Sequence, residues 1–340
     1  MRKKILYFFY YLKELDRKKF QLFLNKAKKE TGKSAVSIVT DILQCIFKYN
    51  ISILEYFQFH FYKLSNEARE TYAGTGYMYE YQLKMNPKAS RSVLENKLEF
   101  LDAYGKFVHH NYAALTSLEN EPAIAEKLLA NKSGKLVFKN SHGQCGNGVE
   151  VVSVSGLNKQ KMVERLKENG NDYVEEFVVQ HPALMKLSPS GLNTIRIITQ
   201  LNDQDKVDII GARLRITINS TVDNMAAGNI AAPIDIESGI VEGPGVYSDI
   251  TRGDEFFHPV TKTEIVGFKV PFWKESVQMV TEAALKNKGN RSVGWDVAIT
   301  ENGPELIEGN HNWCKLLWQL PVKKGLKPVL ESYLGNTGVV

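Results

Sequence analysis

No proline occurs before Pro87. Proline inside a helix removes a hydrogen bond and clashes with the preceding turn, so a long stretch without it is free to be helical throughout. The apolar spacing there is helical too. Ile5 to about Lys29 reads as one helix, ended near Thr31-Gly32, and Ser34 to Tyr49 as a second. Ser52, with Glu55 three residues on, makes a capping-box start for a third helix that runs through Phe57, Phe61 and Leu64. Gly74-Thr75-Gly76 interrupts the pattern. Residues 1–90 are therefore expected to form a helical N-terminal region.

Beyond Pro87 the periodicity changes. Ser92 to Leu101 is still helical, but Lys135–Lys139, Val149–Val154 and Tyr173–Val179 read as strands, with a helix from Leu157 to Glu168. That order suggests a small α+β lobe over residues 91–179. Past Pro182 come longer β segments, Asn193–Leu201, Lys206–Ile218, Gly228–Ile236 and Val293–Thr300, then a short one at Glu305–Glu308, with one helix between Pro271 and Lys288. Residues 180–340 are expected to form a larger lobe around an antiparallel sheet. The fold class is α+β.

Bulk numbers exclude several classes. Three widely spaced cysteines form neither a disulfide framework nor a CxxC pair, which fits a reducing cytoplasm. Seven histidines show no HxxxH spacing, so zinc chemistry is not expected. The net charge of +5 is concentrated: residues 1–33 carry eleven Lys and Arg against three acids, which leaves the remainder negative. With the basic residues confined to one region and no nucleic-acid motif in sight, nucleic-acid binding is not expected. Arg2-Lys3-Lys4 and the apolar run to Leu12 are too short to span a bilayer and lack a small-residue cleavage site. They read as an amphipathic helix, packed on the protein or lying at a membrane interface.

Two segments carry chemistry. In Lys139-Asn-Ser-His-Gly143-Gln-Cys-Gly146-Asn-Gly148, one strand delivers a lysine into a loop with three glycines and a second strand leaves it. Glycines let backbone N–H groups approach anionic oxygens closely, and lysine adds a point charge. The segment fits a phosphate cradle or an ordinary hairpin loop equally well. It is not a Walker A loop, because no GK[ST] follows. In the second segment, Asp296 lies on one strand, and Glu308 and Asn310 lie two apart on the next, pointing the same way. A hairpin can bring these three oxygen ligands together, a set that suits Mg²⁺.

Lys97, the Lys139 loop, the strand Val174–Val178 and the pattern Asp296…Glu308-Gly-Asn310 follow the order of the ATP-grasp superfamily. The wider run resembles the sugar-transfer-associated ATP-grasp proteins: Gln180-His-Pro-Ala-Leu184, Leu192-Asn-Thr-Ile-Arg196, His258-Pro259, Gly294-Trp-Asp296 and Glu308-Gly-Asn310. The resemblance covers about residues 92–325. It implies an ATP-grasp fold, with two α+β lobes clasping ATP. Lys97 and Lys139 would hold ATP phosphates, and the loop with Gly143, Gly146 and Gly148 would close as a lid. Glu175, Glu176, Phe177 and Val178 would form the hinge that reads adenine, with Gln180 near adenine or ribose. Asp296, Glu308 and Asn310 would bind Mg²⁺. One departure from the D-alanine–D-alanine ligase branch matters: Gly294-Trp295 stands before the metal-binding Asp where that branch has an arginine. Charge stabilisation is then expected from Arg196 and Arg213, with Arg215 left open.

The implied activity is ligation: a carboxylate is activated as an acyl phosphate and joined to an amine, in cell-surface polysaccharide or glycoconjugate assembly. The partners implied are a small-molecule or glycan carboxylate, an amine acceptor, a membrane surface met through residues 1–30 at the inner face, and a second copy in a homodimer. A kinase using the same nucleotide site, and a non-catalytic nucleotide-binding scaffold at the membrane, are the alternatives. His258 reads as a loop histidine, Asn224 with Gly228-Asn229 as a nucleotide loop or a plain turn, His311 as a candidate near the acceptor, and Cys145 as incidental.

Overall fold

The computed structural model describes residues 2–143 and 148–335. The N-terminal region is helical, as the missing prolines allow and the apolar spacing suggested: α1 (Arg2–Lys13), α2 (Arg17–Thr31), α3 (Ala35–Tyr49), α4 (Ile53–Gln58), α5 (Asn66–Glu70) and α6 (Thr75–Met85). The first segment is two helices and not one. Asp16 accepts from the N–H groups of Lys18 and Lys19, both at 3.0 Å, and so starts a new helix. The capping box at Ser52 and Glu55 is present. Its helix ends at Gln58, however, and Phe61–Lys63 form a separate 3₁₀ turn.

An aromatic core of Phe23, Tyr56, Phe57 and Phe61 joins these helices. One buried ion pair pins them. Arg69 donates to both oxygens of Asp41, at 2.8 and 2.7 Å, and to the carbonyl of Phe61. Burial pushes the Asp41 carboxyl up, but Arg69 and the Tyr56 hydroxyl outweigh it and hold it below its usual range. Glu55 ties the region to the rest of the chain: besides capping α4 it accepts from Thr75 at the start of α6 and pairs with Lys315 at 3.1 Å.

After α7 (Lys88–Glu95) and α8 (Lys97–Tyr104) come β1 (Tyr112–Ala114), α9 (Leu115–Asn120), α10 (Pro122–Leu129), β2 (Lys135–Lys139), β3 (Glu150–Ser153), α11 (Lys159–Glu168) and β4 (Tyr173–Glu176). The four strands pair antiparallel in the order β1-β4-β2-β3 and pack against α9, α10 and α11 through Leu118, Leu128, Phe138 and Leu166.

The larger sheet follows α12 (Pro182–Leu187). Its strands are β5 (Ile195–Leu201), β6 (Val207–Ile216), β7 (Ile230–Ile234), β8 (Ser292–Thr300) and β9 (Gly303–Asn310), and α13 (Trp273–Lys286) lies between β7 and β8 in sequence. The strand order is β7-β6-β5-β8-β9, antiparallel throughout. One face is apolar: Ile195, Ile197, Leu214, Val297 and Ile299 share a core with Val280 and Ala283 of α13. Phe100 and Tyr104 of α8 join the same core, with the Tyr104 ring 5.4 Å from Trp295. The alternation of strand side chains turns Arg196, Arg213 and Asp296 to the opposite face. There Ile198, Trp313 and Trp318 pack against Tyr77 and Tyr81 of α6. Helices α14 (Lys315–Gln319) and α15 (Lys327–Glu331) complete the described chain.

Removing Arg69 leaves Asp41 charged and poorly solvated. Arg69→Leu is expected to lower stability by about 3 kcal/mol or more, read by urea unfolding at neutral pH. Because the Asp41 pKa is depressed, the pair's contribution is present above the ordinary carboxylate range and fades as pH falls. The gap between wild type and variant should therefore narrow in acid.

Candidate active site

The register of the larger sheet puts a charged row across four strands. Arg196 on β5 lies opposite Arg213 on β6 and Asp296 on β8, and Asp296 lies opposite Glu308 on β9. Directly opposed residues share a face, so these side chains converge. Asp296 is the centre. Arg196 binds it with two nitrogens, Nε to Oδ1 and Nη2 to Oδ2, the second at 2.9 Å. Arg215, two residues past Arg213 on the same face, adds Nη1 to Asp296 Oδ2 at 2.7 Å. Arg215 also reaches Asp223 Oδ1 at 2.6 Å, and Asp223 in turn accepts from the Thr194 N–H at 3.0 Å. Burial would lower the Arg215 pKa, but Asp223 and Asp296 hold it raised.

Glu308 meets Lys97 at 2.9 Å and the Asn310 amide nitrogen at 3.2 Å. Burial pushes its carboxyl up; the Lys97 ammonium and Arg196 outweigh it and hold it well below the usual range. Asn96 caps α8 and so sets Lys97 on its first turn. The backbone N–H of Lys97 donates to Ser141 O at 3.1 Å, and its side chain reaches Glu308. Lys97 therefore ties the loop after Lys139 to the larger sheet.

On the smaller sheet, Lys139 ends β2 and pairs with Glu175 on β4. The loop that follows is fastened by Asp172, which accepts from the N–H of Ser141 at 2.7 Å, and Gly143 donates its N–H to Asn140 O at 2.9 Å. Gly148 has φ 74°, a conformation that favours glycine; Gly146 and Cys145 lie outside the described residues. Glu175 faces His110 as well, at 3.7 Å, and His110 Nδ1 lies 2.8 Å from Glu305 on β9. One buried imidazole thus stands between carboxylates of the two sheets. Burial lowers its pKa, but Glu175 and Glu305 raise it to about 9. Glu175, pushed up by burial, is held at about 2 by Lys139 and His110.

Strand β4 stops at Glu176, three residues short of the Val179 end that the apolar run suggested. Both Glu176 oxygens are held by Asn111, and Phe177 N–H donates to Lys135 O. Val178 follows, half-buried, in the connection that re-enters the larger sheet where His181 N–H meets Ile299 O at 2.7 Å. Gln180 is buried and uses its amide on Ser188 O, Gly191 O and Asn193, which shapes the loop before β5.

Arg213 stands opposite Arg196 but turns away. Two guanidinium groups directly opposed repel, and Arg213 instead donates to the carbonyls of Ala212 and Trp318. Burial lowers its pKa to about 10. His258 is a buried loop residue, with Nε2 2.9 Å from Thr217 O. Asn224 and Asn229 brace a turn, and His311 pairs with Glu95 at 3.0 Å. The sequence offered no signal for His110, Glu305 or Asp223 as members of the cluster, because their partners are far away along the chain. For Arg215 the alternation with Arg213 was visible, but not which guanidinium would turn inward.

The residues suit Mg²⁺ by donor chemistry. Asp296, Glu308 and Asn310 carry oxygen on facing strands, and the Asn310 nitrogen is engaged by Glu308 and Gly294 O, leaving its oxygen for a metal; both Asp296 oxygens are held by Arg196 and Arg215, so a metal would share Asp296 with them. No group of three or more His, Cys, Asp or Glu that could hold a metal occurs among the described residues. Water and ligand oxygens would have to complete the sphere.

Comparison with known proteins adds three findings. The family model for sugar-transfer associated ATP-grasp proteins matches residues 77–334. No curated protein matches the chain. Among solved structures, the ATP-grasp ligase PsnB, complexed with a phosphomimetic variant of its minimal precursor, Mg and ADP, is 12% identical with a TM-score of 0.45, over 75% of this chain and 62% of that one. The biotin carboxylase of Campylobacter jejuni, complexed with an ATP analogue, is 10% identical with a TM-score of 0.43, over 74% and 48%. The chain thus spans less than two thirds of the length of these structures.

His110 carries a pH prediction. Its folded pKa is raised from 6.5 to about 9, so its stabilising charge is fully present below pH 6.5 and lost as pH rises through 9. Melting temperature should fall across that window in wild type and stay flatter in His110→Gln. An NMR titration placing the His110 midpoint near 6.5 would refute the assignment.

Proposed function

This chain belongs to the sugar-transfer associated ATP-grasp family, and on that footing we propose that it is an ATP-dependent ligase that joins a carboxylate to an amine. The observation that carries the reading is the convergence of two lysines and two arginines on Glu308, Glu175 and Asp296, where the two sheets meet. A transferring phosphoryl group needs such a collection of fixed positive charge, because its transition state spreads negative charge over several oxygens. We divide the chain accordingly: a helical N-terminal region over 1–90, a small lobe with the phosphate loop over 91–179, and a large lobe over 180–340.

Lys97 and Lys139 hold phosphate oxygens in this reading, and the segment Glu175–Val178, with Gln180 behind it, forms the adenine side of the cleft. Asp296, Glu308 and Asn310 hold Mg²⁺, which when bound draws charge from phosphate oxygens as a Lewis acid. Arg196 and Arg215 are fixed on Asp296, and in this reading they supply positive charge to the reacting phosphate and carboxylate. The substrate carboxylate oxygen attacks the γ-phosphorus, the bond to the ADP oxygen breaks, and an acyl phosphate results. An amine then attacks the acyl carbon, phosphate departs and the amine loses a proton. Water must be kept from the acyl phosphate until the amine arrives. The family's description, sugar-transfer associated, supports a donor or acceptor in glycan assembly.

The test is ADP release from Mg-ATP with a panel of uronic acids and amino acids. Turnover that needs both a carboxylate and an amine, and falls by at least about a hundredfold in Glu308→Gln, is the expected result. Phosphate left on an acceptor would instead make the enzyme a kinase, and absence of ATP binding would refute the nucleotide site. A second comparison separates the arginines. Arg215→Met should lower turnover by roughly a hundredfold, whereas Arg213→Met should lower thermal stability and leave turnover within about threefold of wild type.

A further inference from the structure

The N-terminal helices present a surface that the nucleotide site does not use. Twelve of the twenty-two large hydrophobic side chains exposed among the described residues lie between Ile5 and Leu83, so the apolar exposure is concentrated in this region. Much of it falls on two neighbouring helix faces. On α1, Ile5, Leu6, Phe9 and Leu12 point outward, Leu6 at 69% exposure, while Tyr11 is the buried side of the helix. On α3, Val36, Val39, Leu43 and Phe47 form an outward stripe, Val36 at 76%, opposite the buried Ile38, Ile42 and Ile46. The stripes meet at the Phe8 ring, 5.7 Å from Phe47 and 5.8 Å from Phe9, and Lys4 donates to Phe47 O at 2.7 Å. Helical spacing normally puts charge on such outward faces. Here α1 has no acid at all, and the one acid of α3, Asp41, turns inward to Arg69.

Positive charge follows at the junction of α1 and α2. Lys13, Arg17, Lys18 and Lys19 are exposed and make no ion pair among the described residues. Three of them form the first turn of α2, which contains no acid. A basic first turn opposes the helix dipole; the Asp16 carboxylate at the cap offsets part of this, and an anionic surface would relieve the rest. A second copy of the chain would be a poor occupant, since two such regions, each carrying +8 over residues 1–33, would be brought together.

We propose that α1, α3 and the basic start of α2 form a docking face for an anionic lipid bilayer. The two apolar stripes enter the boundary between headgroups and acyl chains, and Lys13, Arg17, Lys18 and Lys19 meet the headgroup phosphates. No helix among the described residues is long and apolar enough to cross a membrane, so this contact is peripheral. It draws on α3, a helix whose outward face is set by the packing of the N-terminal core, and it does not depend on which reaction the nucleotide site performs.

The test is co-sedimentation of the full chain with vesicles of phosphatidylcholine alone and of phosphatidylcholine with an equal share of phosphatidylglycerol. Wild type is expected to bind the anionic vesicles at least about tenfold better, and less well as salt rises. Lys13→Glu/Lys18→Glu/Lys19→Glu should reduce binding by about a hundredfold, and Leu6→Gln/Phe9→Gln/Leu43→Gln by about tenfold or more. Circular dichroism and Mg-ATP binding of the variants report whether they fold. Wild type left in the supernatant with anionic vesicles, or bound equally to both compositions, overturns the proposal. So does a wild-type dimer by sedimentation velocity that the apolar variant abolishes with no vesicle binding, which would assign the face to a second copy. The wild-type comparison decides the matter even if a variant misfolds.

Discussion

A buried carboxylate in the middle of a β-sheet has to be matched by charge, and the arrangement around Asp296 follows from that need. Removing an ionised group from water costs several kcal/mol unless partners replace the lost solvation. Asp296 meets the requirement with Arg196 and Arg215, Arg215 is balanced by Asp223, and Glu308 is balanced by Lys97. The result is a continuous polar strip on one face of the sheet, while the other face packs on α13 as an ordinary apolar layer. The same strip that satisfies the buried charges sets fixed cations and carboxylates side by side.

The two sheets are coupled by the same kind of pairing. Lys97 donates its backbone N–H to the loop after Lys139 and its ammonium to β9, and His110 lies between Glu175 of one sheet and Glu305 of the other. Charges held this way are sensitive to any ligand that competes for them. Any anion that drew Lys139 or Lys97 to itself would take a counter-ion from Glu175 or Glu308, so anion binding there would be linked to the contact between the sheets.

Much of this was legible in the chain. The helical start, the α+β class, the pairing of Asp296 with Glu308 across a hairpin and the capping box at Ser52 follow from local rules, and the structure agrees with each. The family resemblance is borne out by a match that starts earlier than the motifs suggested, inside α6, whose Tyr77 and Tyr81 pack beneath the charged face. Other readings failed for identifiable reasons. One long helix became two because Asp16 caps backbone N–H groups better than it continues a helix. The strand after Tyr173 stopped early because its partners run out: Glu175 pairs with Tyr112, the first residue of β1, and Glu176 with Leu136, beside the first residue of β2.

The sequence by itself determined which residue types could meet: lysines beside glycines, alternating arginines on one strand face, acids two apart on another. It did so because strand alternation and helix capping are local properties of a few neighbouring residues. Only the tertiary structure decided which partner each charge takes. Arg215 and not Arg213 reaches Asp296, because Arg213 opposes Arg196 in register and the carbonyl of Trp318, far along the chain, offers it a better place. Likewise the apolar stripe of α3 is read locally as one more helix face, and it is the packing of Ile38, Ile42 and Ile46 inward that leaves Val36, Val39, Leu43 and Phe47 facing out. Long-range electrostatic and packing competition sets those outcomes, and no local pattern encodes them.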